Sequence, residues 1–217
     1  MKAIIFDLDG VLVSTDELHY QAWKKLADRI GVYFDREINH RLRGVGRMDC
    51  LEIILERYEG KTFTPEEKLA LAEEKNNTYR ELLKTMSPAD VAEEVRETLR
   101  ELRRRGYKLG LGSASKNAGF ILEQTGLKEY LDKISDGNNI TKSKPDPEVF
   151  LKAAEFLGEE PLECLVVEDA EAGIRAGISG GMKTAAIGDA VKCGLADYTL
   201  ETLSELLTIA ELAGDIP

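Results

Sequence analysis

The chain has 217 residues, 43% of them hydrophobic, and a chain of that length can remove about 70% of its unfolded surface from water as one domain, with or without an inserted subdomain. Its formal charge of −11 argues against nucleic acid or an anionic membrane surface as partner, since both call for clustered Lys and Arg; an anionic ligand has to be held by local groups. Cys50, Cys164 and Cys193 lie far apart without CxxC spacing, no apolar stretch has a membrane span's length, and no secretory leader precedes the first apolar run, so a reduced, cytoplasmic, monomeric protein is expected.

In chain order, the apolar run Ala3-Ile4-Ile5-Phe6 predicts a buried strand over residues 3–7, closed by Asp7-Leu8-Asp9-Gly10. Residues i and i+2 of a strand share a face, and two carboxylates side by side near a core are costly unless a cation or a proton shared with a substrate compensates. A strand ending in an Asp-Gly turn accounts for the same residues. A calcium-binding EF-hand loop does not, because Gly10 comes one step too early. The next long stretch carries only helical spacing: Leu18, Ala22, Leu26 and Ile30; Leu51, Ile54, Leu55 and Tyr58; Leu69, Ala72, Tyr79 and Leu83. A direct βαβ crossover needs only a dozen or so residues. The stretch therefore reads as a helical subdomain inserted over residues 15–87, bounded near Ser14-Thr15 and Ser87-Pro88 and expected above the strand ends. His19 and His40 have no companions at zinc-binding spacing.

Val91, Val95, Leu99 and Leu102 form the next helical stripe, and Arg103-Arg104-Arg105 at its end reads as a solvated complement to the helix dipole. Strands follow at 108–112, weakly at 133–136, at 164–168 and at 184–187. Between them, Ser115 is expected to cap a helix ending at Gly126, and Asp146-Pro147 to open one ending at Gly158. Strands alternating with helices predict an α/β fold, with a parallel Rossmann-like sheet formed by residues 1–14 and 88–217 and an all-helical cap.

In an open parallel sheet, ligands bind beyond the carboxyl ends of the strands, and four motifs fall there. They are Asp7-x-Asp9-Gly10, the turn Gly112-Ser113-Ala114-Ser115-Lys116-Asn117, Lys144-Pro145-Asp146-Pro147, and Val166-Val167-Glu168-Asp169. Singly, each has a plain structural explanation: a turn, a helix cap, a surface lysine, an acidic cap. Together, Asp7, Asp9, Glu168 and Asp169 form a four-carboxylate cluster that calls for a hard cation on oxygen ligands, most plausibly Mg²⁺. A cation, a lysine, a serine and an N–H-rich turn around a carboxylate describe phosphoryl transfer. Asp7 is then the nucleophile that takes the phosphoryl group and Asp9 the general acid/base, while Lys144 stabilises the equatorial charge.

These motifs, in this order, resemble the haloacid-dehalogenase-like phosphotransferase superfamily. Thr15 with His19 and Trp23, Gly44-Val45 with Arg47, Lys75-Asn76, Ser87-Pro88-Ala89-Asp90-Val91 and the run from Ser113 to Asn117 extend the likeness over the whole chain to its β-phosphoglucomutase family. The resemblance implies interconversion of β-glucose 1-phosphate and glucose 6-phosphate through β-glucose 1,6-bisphosphate. It implies Mg²⁺ held by Asp7, the Asp9 backbone carbonyl, Glu168 and Asp169, with Ser113, the Ala114 N–H and Lys144 on the transferring phosphate. Arg47, Ser115, Lys116 and Asn117 fall on the other phosphate, and His19, Trp23, Gly44, Val45, Gly46, Arg47 and Lys75 line a sugar-facing cleft. Without the resemblance, Trp23 reads as core filling, His19 four residues before it as a partly exposed neighbour, and Lys75 and Arg47 as surface charges. Ala92-Glu93-Glu94, Arg43, Gly46, Cys50 and Ala170 depart from the family's usual residues. A Mg²⁺-dependent sugar-phosphate phosphatase shares the core motifs and is the alternative; a dehalogenase has no use for the metal carboxylates or for an acid at Asp9.

Overall fold

The computed structural model describes residues 1–42 and 45–212. Their α-carbons divide into two compact units, one of Met1–Ser14 with the described residues from Met86 onward, the other of the described residues of Thr15–Thr85.

The first unit is built on a six-stranded parallel sheet in the order β3-β2-β1-β4-β5-β6. The strands are β1 (Ala3–Phe6), β2 (Lys108–Gly112), β3 (Lys133–Ser135), β4 (Cys164–Glu168), β5 (Lys183–Ile187) and β6 (Tyr198–Leu200). Every residue of β1 and β4 is buried, as strands covered on both faces require, and this is why they read as unbroken apolar runs. β6 is a short edge strand that the sequence reading did not include.

In the second unit, among the described residues, four helices form: α1 (Asp16–Ile30), α2 (Arg36–His40), α3 (Arg47–Leu55) and α4 (Pro65–Leu83). α4 opens on a capping box in which Thr64 Oγ1 accepts from the Glu67 N–H at 3.2 Å and a Glu67 carboxylate oxygen accepts from the Thr64 N–H at 2.7 Å. Trp23, Leu26, Phe34, Leu51, Ile54 and Leu71 belong to the core of this unit. Leu69, expected on the apolar stripe, is exposed instead, and the buried face of α4 runs through Leu71, Ala72, Lys75, Tyr79 and Leu83.

Back in the sheet unit, the chain forms α5 (Glu93–Arg104), α6 (Ala118–Thr125), α7 (Glu148–Leu157), α8 (Glu171–Ser179) and α9 (Leu206–Leu212). The α7 residues Val149, Phe150, Ala153 and Leu157 pack with Ala3, Ile5, Cys164 and Val166 of the sheet. The arginine run at the end of α5 is not simply solvated. Arg103 donates to the Tyr130 carbonyl at 2.8 Å and Arg105 to the Leu207 carbonyl at 2.8 Å, so two of the three guanidiniums tie α5 to neighbouring segments. All three cysteines are free thiols. No described helix is long and apolar enough to cross a membrane.

Candidate active site

β1 lies between β2 and β4, and the chain passes from one side of it to the other between β3 and β4; a crevice opens beyond the strand ends at such a switch. Phe6 pairs with Leu111 on one side and Val167 on the other, so one step further along this register Asp7 stands level with Gly112 and Glu168. The Asp7 N–H donates to the Val167 carbonyl at 3.0 Å. That bond extends the ladder past the strand and fixes the residue, whose side chain is almost fully buried.

Carboxylate oxygens of Asp7, Glu168 and Asp169 lie within 4.8 Å of one another. The expected four-carboxylate cluster is therefore a set of three: the strand ends at Phe6, and Asp9 sits on the turn beyond it, outside the set. Its charge is still close enough to act on Asp169. Lys144 enters the cluster and donates to Asp7 Oδ1 at 2.6 Å and to Glu168 Oε1. Burial by itself pushes the Lys144 ammonium toward its neutral form, but the Asp7 and Glu168 carboxylates outweigh it and raise its pKa above the usual lysine value. Glu168 is raised by burial, with the Asp7 charge adding and Lys144 opposing. Asp169 is pushed up to about 8, first by burial and then by Glu168, Asp7 and Asp9.

Three carboxylates sharing one ammonium leave excess negative charge, which together with burial is what raises Asp169. An all-oxygen donor set with surplus charge fits a hard divalent cation such as Mg²⁺. Two glycines make the room. A β-carbon on Gly10, whose φ is +76°, would stand 2.0 Å from Asp169 Oδ2, and one on Gly173 would stand 1.9 Å from Glu168 Oε1. Both contacts are impossible, so neither carboxylate keeps its place beside a larger residue.

At the end of β2, Ser113 is buried and its N–H donates to the Ser135 carbonyl at 3.0 Å. Ser113 Oγ accepts from the Ser115 N–H and Ser115 Oγ from the Asn117 N–H, both at 3.2 Å, two successive hydroxyl turns. Ser115 is thus not the helix cap expected from sequence: α6 begins at Ala118 with Asn117 at its N-cap, and the Ser115 hydroxyl is engaged with the Asn117 N–H two residues downstream. The side chains of Ala114 and Lys116 are exposed. Gly137, from the loop after β3, packs against this turn so closely that a β-carbon there would stand 2.4 Å from the Ala114 carbonyl oxygen.

Within the helical unit, His19, Trp23 and Lys75 come together. Lys75 is only 3% exposed and its Nζ is 2.7 Å from His19 Nδ1, 4.6 Å from the centre of the Trp23 ring and 4.7 Å from that of Tyr79. An ammonium can only donate, so Nδ1 accepts and the imidazole is neutral; burial holds its pKa well below the ordinary value, with the charges of Lys75 and Arg47 adding. Trp23 lies in the apolar core of the unit. Val45 is exposed, Gly46 is the N-cap of α3, and Arg47 is the first residue of that helix, 3.9 Å from Glu73. Gly44 and Arg43 lie outside the described residues.

The sequence reading missed Glu148, whose carboxylate accepts from the segment leading to Lys144; its signal was an acid just after Asp146-Pro147. It also missed the packing role of Gly173, a glycine inside α8.

Residues 1–181 match the haloacid dehalogenase-like hydrolase family. The chain belongs to that family. It is 40% identical over 94% of its length to a β-phosphoglucomutase of Bacillus subtilis, of which it covers 95%. It is 32% identical over 84% of its length to a phosphorylated carbohydrates phosphatase of Thermotoga maritima, of which it covers 83%. A solved β-phosphoglucomutase from Clostridium difficile superposes with a TM-score of 0.88 at 36% identity, covering 99% of this chain and 98% of that one. The parallel sheet with a helical insertion is thus the fold of an enzyme of the haloacid dehalogenase-like hydrolase family, and its acidic cluster stands at β1 and β4.

Proposed function

We propose that this enzyme is a β-phosphoglucomutase, interconverting β-glucose 1-phosphate and glucose 6-phosphate through β-glucose 1,6-bisphosphate. The observation that carries the reading is Asp7 itself: a nearly buried carboxylate fixed by the ladder and held at 2.6 Å by the Lys144 ammonium, in a chain 40% identical to a β-phosphoglucomutase along nearly its whole length.

In the first half-reaction, an Asp7 carboxylate oxygen attacks phosphorus and the bond to the sugar oxygen breaks, with Asp9 giving that oxygen its proton. In the second, Asp9 takes the proton of the acceptor hydroxyl, which attacks the aspartyl-phosphate and frees Asp7. Lys144, Ser113 and the Ala114 N–H hold the transferring phosphate and offset its charge in both directions. Asp7, Glu168, Asp169 and the Asp9 backbone carbonyl would hold Mg²⁺, which would offset the negative charge of the phosphate oxygens. Ser115, Lys116, Asn117 and Arg47 are assigned to the non-transferring phosphate, and His19, Trp23, Gly44, Val45, Gly46 and Lys75 to the sugar side.

The test is to incubate the protein with β-glucose 1-phosphate, Mg²⁺ and a trace of the bisphosphate. Glucose 6-phosphate should form with little free phosphate. The 32% identity to a carbohydrate phosphatase supports a second reading, hydrolysis of sugar phosphates at the same Asp7, and free phosphate as the main product would favour it.

A further inference from the structure

We infer that Glu148 is a positioning residue that aims Lys144 at Asp7, an inference that rests on the phosphoryl-transfer reading of that site. Lys144 stands on an irregular segment between β3 and α7, and such a segment has no ladder of its own to fix a long side chain. Yet its ammonium makes two short charge-assisted bonds, to Asp7 Oδ1 at 2.6 Å and to Glu168 Oε1, and the side chain is 9% exposed. Glu148, the first residue of α7, ties the segment down. One oxygen of its carboxylate, Oε2, accepts from the Thr141 N–H at 2.9 Å, the Thr141 hydroxyl at 2.9 Å and the Lys142 N–H at 2.7 Å.

The other side of the loop is closed as well. Asp146 Oδ1 accepts from the Glu148 N–H at 3.0 Å and the Asp146 N–H donates to the Ser143 carbonyl at 3.1 Å. Residues 141–148 therefore form a loop pinned at both ends to the start of α7, with Lys144 leaving from its middle. The helix below is fixed in turn by Val149 and Phe150, both fully buried in the sheet core. The path of constraint runs from the sheet through α7 to Glu148, then to residues 141–142, and so to the lysine. The two acids of this loop act in different directions. Asp146, one residue before the N-cap Pro147, accepts from the first N–H of α7, whereas Glu148 reaches backward to the incoming chain. Being a carboxylate with three donors on one oxygen, Glu148 forms stronger bonds than a neutral acceptor would, and its pKa is held below the usual range by the Thr141 and Lys142 N–H groups.

Lysine acylation read by mass spectrometry in Mg²⁺ buffer tests the inference without relying on turnover. In the parent protein Lys144 should react much more slowly than the exposed Lys116. In E148A its labelling should rise toward that of Lys116, and in E148Q, which keeps an acceptor oxygen at the same reach, it should stay near the parent. Asp7 phosphorylation by acetyl phosphate, in which the carboxylate takes the phosphoryl group and acetate leaves, should slow by roughly 10- to 100-fold in E148A, as misplacing a catalytic group by about 1 Å does. It should recover in E148Q. With Lys144→Met already present, E148A should add little, because residues acting as a unit are not additive. A Lys144 that stays protected in E148A, or a full further loss in the double variant, would overturn the inference. A parent protein that takes no phosphate at Asp7 would instead refute the phosphoryl-transfer reading, and the labelling alone would then decide the role of Glu148.

Discussion

At the scale of single residues, the site separates two aspartates by environment. Asp7 is buried and bound to Lys144, whereas the Asp9 carboxylate stands on the turn beyond β1, outside the cluster of Asp7, Glu168 and Asp169, which leaves it available for the proton transfer proposed for it. Asp9→Asn should keep Mg²⁺ binding and lower turnover by about 10²- to 10⁴-fold, the usual contribution of general acid/base catalysis; steady-state rates with Mg²⁺ titrated separately check this. His19 gives a pH prediction. Its folded pKa is lowered, so the unfolded chain binds more protons, and stability is full above about 6.5 and falls as pH drops, by up to about 1.4 kcal/mol per pH unit. In the metal-free protein Asp169, raised to about 8, acts with opposite sign: its folded form binds more protons, so acidification below 8 favours folding. The difference between the parent and His19→Gln isolates the histidine. Urea unfolding followed by Trp23, the chain's one tryptophan, should show the parent losing stability relative to the variant between pH 7 and pH 5.

At the scale of elements, helix ends and helix approach fix the site's frame. The Thr64 and Glu67 capping box should contribute as isolated caps do, so Thr64→Ala should lower stability by about 1 kcal/mol, measured as a shift in the urea midpoint. α8 comes so close to β4 that a β-carbon on Gly173 would overlap the Glu168 carboxylate. Gly173→Ala should weaken Mg²⁺ binding by roughly 10- to 100-fold, as changes behind a metal ligand do, with calorimetric titration as the measurement. Elements with strong local patterns were legible in the sequence. β1 and β4 show as apolar runs because both their faces are buried, and α1 shows through Ala22 and Leu26. β6 was not legible, since three residues at a sheet edge carry no period, and neither was α2, a helix of five residues. By composition alone Lys75 reads as a surface charge, and contact with His19, Trp23 and Tyr79 buries it instead; Leu69, placed on the apolar stripe by its spacing, falls on the exposed face of α4.

At the scale of the whole molecule, a charge of −11 repels sugar phosphates at long range, so binding depends on a few local cations and backbone N–H groups. The motifs lie far apart in sequence and are gathered because the parallel sheet brings strand ends together, which is why Asp7, Glu168, Asp169 and Lys144 were readable as one cluster. The sequence reading counted four carboxylates where the structure groups three, and it missed the supports behind them, Glu148 and Gly173, whose roles exist only as contacts. Asp7 is proposed to pass its phosphoryl group to a sugar hydroxyl rather than to water. The direct measurement is to phosphorylate the enzyme on Asp7 with labelled acetyl phosphate in Mg²⁺, remove the donor, add β-glucose 1-phosphate and follow the label. It should leave Asp7 faster than in buffer alone and appear in β-glucose 1,6-bisphosphate and then glucose 6-phosphate. Release of the label as inorganic phosphate at the same rate with and without the sugar phosphate would contradict the account.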